Sequence, residues 1–141
     1  MRRLPDAMGV ECPIGSCFLI PSGPTGEHVF TVALGPKVLA GHGPLEQVIL
    51  LSFTTIRQGL PHDPACVIRP DEHPFIKHDS YVYYREPRVY SVLDVQKNLE
   101  SGIWRKSDPC TEALIQKIQA GFRSSTRLPR FYKQVLDSFG I

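Results

Sequence analysis

Long apolar runs are what this chain most plainly does without. None of its 141 residues belongs to a stretch approaching the ~18 needed to cross a bilayer, which predicts no membrane partner. Residues 1–6 (MRRLPD) are basic, but polar residues and proline interrupt the segment after them, so no apolar core of a secretory leader can be drawn. A soluble cytoplasmic protein is expected. The chain also lacks paired cysteines: Cys12, Cys17, Cys66 and Cys110 are scattered, without the short C-x-x-C spacing of a zinc or thioredoxin-like site. They read most simply as buried thiols. There is no internal repeat or low-complexity tract, and Ser80 lies in no G-x-S-x-G elbow, which speaks against a serine hydrolase.

Charge of one sign is scarce, and what there is lies unevenly. Residues 96–141 carry eight Lys/Arg against four Asp/Glu, a balance of +4, while residues 1–95 carry eight against ten, a balance of −2. A nucleic-acid surface needs a concentrated positive patch, because counterion release supplies much of the affinity. So mild an excess reads equally as solvated helix faces. Length predicts a single domain over 1–141, large enough to bury a core without covalent staples.

Up to about residue 90 the pattern is one of short strands. Residues 16–20 form an apolar run closed by the turn-forming PSGPTG at 21–26. Residues 28–34 (HVFTVAL) are β-branched and aromatic, with Gly35 and Pro36 expected to stop them. The run VILLSFTT ending at Thr55 predicts a central strand buried on both faces. Residues 66–68 give a fourth strand, and 80–84 with 88–90 a fifth, broken by Glu86 and Pro87. Five or six short strands without intervening helices predict a small barrel over about 14–90.

Beyond residue 90 the period becomes helical. Ser91 and Asp94 predict a capped helix over 92–101, ended by Gly102. Asp108 and Pro109 read as N-cap and first residue of a second, with Gly121 near its end. A third begins near Pro129 and ends at Gly140. The fold class is thus α+β, mainly β: an SH3-like barrel of five to six short strands followed by two to three packed C-terminal helices over about 91–141.

The segment HPFIKHDSYVYY at 73–84 gathers more proton-handling and hydroxyl groups than any other. Its proline and tyrosines place His73, Lys77, His78, Asp79 and Ser80 where a loop runs into a strand, a usual place for functional groups. His73, His78 and Asp79 are zinc-ligand types, but their spacing matches no standard site and Lys77 intrudes, so no metal and no cofactor is expected. Tyr81, Tyr83, Tyr84 and Tyr90 could stack on bases, although at least half of such a row should point into the core. Trp104, between Ile103 and Arg105, could make a surface contact or anchor a helix.

The layout of GSCFLI at 15–20, a Gly-rich turn, a strand, and a strand ending in hydroxyl residues resembles the PemK/MazF-type toxin family over roughly residues 14–122. The resemblance implies an SH3-like barrel that pairs as a homodimer, cuts single-stranded RNA without a metal, and is silenced by a cognate antitoxin. The family's third-strand hydroxyls resemble Thr54 and Thr55, and its entry to the last strand resembles Asp79 and Ser80. Where the family starts its second strand with an arginine, this chain has Glu27, His28 and Val29. On that footing His28 replaces the arginine, and His78 is its acid/base partner, oriented by Asp79. Thr54, Thr55 and Ser80 bind phosphate oxygens, while Arg57, His73, Lys77 and Tyr81 contact substrate. Histidine suits proton transfer near neutral pH. The missing arginine motivates the alternative, a catalytically inactive module that binds RNA or a protein partner such as an antitoxin. Histidines 28 and 78 as loop-end solvent groups, with Asp79 and Ser80 in a local side-chain turn, are the purely structural reading.

Overall fold

β-Branched and aromatic residues gather in alternating runs, and the computed structural model, which describes residues 12–22, 24 and 26–141, turns each of them into a strand. Residues 1–6, with their basic character, and Gly23 and Thr25 of the expected turn lie outside the described residues. The strands are β1 (Cys17–Pro21), β2 (Glu27–Val38), β3 (Glu46–Thr55), β4 (Val67–Ile68), β5 (Ser80–Ser91) and β6 (Arg105–Ser107). They form one antiparallel sheet in the order β4-β5-β3-β2-β1-β6. Three helices follow or interleave: α1 (Val92–Glu100), α2 (Glu112–Ser124) and α3 (Arg130–Leu136). The protein is α+β and mainly β. The described sheet is open where a closed barrel was expected: its end strands β4 and β6, of two and three residues, do not pair with one another.

Period-two alternation sends the strands' side chains into two cores. Cys17 and Leu19 of β1 join Leu51, Phe53, Val82 and Tyr84 on the face covered by Leu114, Ile118 and Phe122 of α2. Phe18 and Ile20 point the other way, to Phe30, Val32, Val48 and Leu50, with Val95 of α1 and Trp104. β3 is central, and its residues 47–53 are buried throughout, as expected of a strand covered on both faces. Trp104 is an anchor: it is 5% exposed and packs against Phe18 and Tyr90 with ring centroids 5.9 and 4.8 Å away.

Three boundaries differ from the sequence expectation. Gly35 and Pro36 do not end β2; the strand runs on to Val38 across two register shifts and a cis Gly35–Pro36 peptide. Gly35 is required there, since it has φ +98° and a Cβ would lie 2.5 Å from the Gln47 carbonyl oxygen. Glu86 and Pro87 do not break β5 either. Leu50 faces Arg88 and Ser52 faces Tyr83, so four residues of β5, 84–87, bulge opposite Leu51 alone. Finally, α2 starts later than Asp108 and Pro109 suggest. Thr111 is its N-cap, its hydroxyl accepting from the Leu114 N–H at 3.2 Å, and Gly121 lies inside the helix. α1 is capped as expected, Ser91 Oγ accepting from the Asp94 N–H at 3.0 Å, and Gly140 ends the turn after α3 at φ +76°.

Candidate functional site

Three segments distant in sequence converge where the strands end. His28 is the second residue of β2 and pairs with Ile20 across the first hairpin. Thr54 and Thr55 close β3, facing Tyr81 and Ser80 of β5. The 73–79 loop leads into β5, pinned by the Ile56 N–H donating to the Asp79 carbonyl at 2.9 Å. The result is a cleft of about 360 Å³ lined by His28, Thr54, Thr55, Arg57, Lys77, His78 and Ser80, over a floor that includes Val29, Phe53 and Ile76. The floor residues are each less than 10% exposed; alternation turns Val29, Phe53 and Thr55 to the α2 side of the sheet and His28 and Thr54 to the other, so the cleft wraps the strand ends.

The histidines approach this cleft differently. The His28 ring is held by Ser22, whose Oγ lies 2.5 Å from Nδ1, leaving Nε2 as the nitrogen without that contact. His78 is exposed on the loop, and the Ser80 hydroxyl donates to its carbonyl at 2.8 Å. Ser80 is therefore a positioning group for the His78 loop, and its proton is not aimed at a phosphate. Lys77 donates to the Pro74 carbonyl at 3.0 Å, and Arg57 is exposed. One carboxylate, Glu27, lies at the rim. The Arg105 guanidinium of β6 donates to both of its oxygens and holds the carboxyl below its ordinary range, so that acidic charge is already countered.

Three expected site residues fall elsewhere. His73 is 2% exposed and does not line the cleft. Its Nδ1 accepts from the Phe75 N–H at 3.0 Å and its Nε2 lies 2.7 Å from the Asp108 carbonyl oxygen, so it is a strut that ties the loop to the segment before α2. This corrects its assignment to substrate binding: a buried imidazole with both nitrogens engaged has nothing left to offer a ligand. The Asp79 carboxylate points to Arg69, 4.0 Å away, and does not line the cleft. It thus replaces the expected orientation of His78 with an exposed ion pair of small worth. Tyr81 lies on the sheet face beside the cleft, its ring 5.5 Å from that of His62 and 6.4 Å from that of Tyr83.

Sequence reasoning missed Glu27 with Arg105, Ser22 as the partner of His28, and the apolar floor. Only the last had a signal, since the floor residues read as ordinary core. A metal could find ligands at Cys17, His73 and Cys110, which are buried with their donor atoms within 4.8 Å of one another. None of the three lines the cleft. Because both nitrogens of His73 are hydrogen-bonded, an ion there would have to displace one of those bonds. As it stands, Cys17 and Cys110 touch at 3.6 Å, and that contact together with burial pushes the Cys17 thiol far up. Among the described residues no helix is long and apolar enough to cross a membrane.

No protein-family model matches the chain, and no curated protein matches it.

Proposed function

We propose that the cleft between His28 and His78 cleaves single-stranded RNA without a metal, as the PemK/MazF-type toxins do. The observation that carries this reading is convergence: two histidines, two threonines, an arginine and a lysine from three separate segments border one hollow at the strand ends. In the reaction one imidazole takes the 2′-OH proton as that oxygen attacks phosphorus. The P–O5′ bond breaks, the other imidazole protonates O5′, and a 2′,3′-cyclic phosphate and a 5′-OH are left. His28, steadied by Ser22, and His78, on the loop braced by Ser80, are the proton carriers. Thr54 and Thr55 donate to the phosphorane oxygens, and Arg57 and Lys77 offset their charge. On this reading the open sheet is a relative of the SH3-like barrel, the chain pairs as a homodimer, and an antitoxin occupies the same cleft.

The test is cleavage of single-stranded RNA by purified protein in EDTA. Wild type is expected to cut, and His28→Ala or His78→Ala to lose roughly 10²- to 10⁴-fold in rate while keeping the thermal unfolding profile. RNA left whole by the wild type, with no slowing of growth on expression, would sink the enzyme. One observation favours the second reading in that event: Glu27, tied to Arg105, occupies the region where the family has its arginine. The chain would then be a non-catalytic module that holds RNA or a protein partner, and binding would persist without cleavage.

A further inference from the structure

At the ends of β2 and β3 the cleft adjoins a second hollow of about 170 Å³, on the side of the sheet opposite its floor residues Val29 and Phe53. The two share His28 and Thr54, at the strand ends where one side of the sheet gives way to the other. The register explains the second hollow. Phe30 faces Ser52, Ser52 faces Tyr83, and Thr54 faces Tyr81, which puts all of them on the side of the sheet that carries α1. α1 packs farther along that side, where Val95 shares a core with Val32, Val48 and Leu50. Near His28 the side chains are only half-buried and include a row of rings, His62, Tyr81 and Tyr83. At the far end of the hollow Arg88 lies over the Phe30 ring, 4.7 Å from its centroid, with Glu86 beside it.

We infer that this face is the second half of a single-stranded RNA track, in which a base next to the reacting phosphate stacks on Tyr83 and the adjoining phosphate rests on Arg88. The track rests on the RNA-cleaving reading of the cleft. Cations at the two ends, Arg57 and Lys77 in the cleft and Arg88 beyond, match the repeating charge of a nucleic-acid backbone. The Tyr83 ring, which lines the second hollow, gives every base a flat surface, whatever its identity. Glu86 repels a second phosphate and limits that end to one.

A fluorescent 12-nucleotide RNA carrying 2′-O-methyl groups keeps the bases and phosphates but has no 2′-OH to attack, so anisotropy reads binding alone. Tyr83→Ala is expected to weaken binding about tenfold and Tyr83→Phe to preserve it. Arg88→Gln is expected to reduce the slope of log K against log salt by about 0.7, one phosphate's share. Where alanine unsettles the sheet, the Arg88→Gln slope carries the test alone. Variants that bind as wild type does, or a wild type that does not bind, overturn the track. Binding that depends on Tyr83 with no RNA cleavage would keep the track and remove the nuclease. Normal cleavage that ignores both substitutions would do the reverse.

Discussion

On one side of the sheet, Leu51, Phe53, Val82 and Tyr84 meet Leu114, Ile118, Phe122 and Leu136 and are almost wholly enclosed. On the other, Val32, Val48 and Leu50 are just as deeply buried beneath α1, but the same strands then run on to Thr54, Tyr81 and Tyr83, which are only partly covered. Hydrophobic burial accounts for every residue of the first set. It does not account for a row of half-covered rings and hydroxyls placed beside His28 and Arg88. The Tyr84 hydroxyl, taken into the first core, donates to the Ile118 carbonyl at 2.5 Å and so costs nothing in lost hydrogen bonding. The first side is closed over these residues by α2, and the second is left partly open beyond α1.

Phe122→Ala should expose this contrast most strongly. Phe122 is fully buried and meets Tyr84 edge to face at 5.3 Å, so its removal is expected to cost about 3–5 kcal/mol in denaturant unfolding, against under about 1 for Tyr83→Ala. Equal losses would mean that the open face is structural after all. Gly121→Ala comes next. A Cβ there would lie 2.0 Å from the Tyr84 hydroxyl oxygen and 2.7 Å from its ring, and Tyr84 is anchored by its bond to Ile118. The expected loss is about 1–3 kcal/mol, where an unobstructed helical glycine would gain stability on the same change. A neutral result would show that the α2 face is looser than its packing implies.

Much of the buried structure was legible in the sequence, because burial writes itself as period: β3 as a continuous apolar run, α1 as a capped amphipathic stretch, α3 from Pro129 to Gly140. Errors clustered where backbone geometry overrode a local signal. Pro36 and Pro87 read as strand breakers, yet bulges carry β2 and β5 past both. Gly121 read as a helix end because its packing role depends on Tyr84, far away in sequence. β6 has three polar or charged residues and no alternation to notice. At the site, His28, Thr54 and His78 were recognisable by type and by place at strand ends. His73 has the same chemistry and a neighbouring position, and only its two hydrogen bonds reveal it as a strut.

The smallest effect concerns the two carboxylates that fasten the cleft's surroundings. Glu27 holds the start of β2 to β6 through Arg105, and Glu72 holds the turn before His73 to α2 through Lys117 at 3.0 Å. Burial by itself would raise the Glu72 carboxyl, but the Arg69 N–H at 2.8 Å and the Lys117 ammonium outweigh it and hold it below its ordinary value of 4.5. Arg105 does the same for Glu27. A carboxyl whose folded pKa is depressed adds stability that is complete above its unfolded pKa and is lost as pH falls through the folded one. Thermal unfolding tracked from pH 7 down to 3 should therefore show wild type weakening below about pH 4.5, and Glu72→Gln weakening less over that window. At pH 7 the same substitution should cost no more than about 1 kcal/mol, since the pair is partly exposed and screened. Parallel acid profiles for the two proteins would mean that Lys117 and the Arg69 amide do not hold the turn before His73, and that the loop rests on the His73 and Ile56 hydrogen bonds.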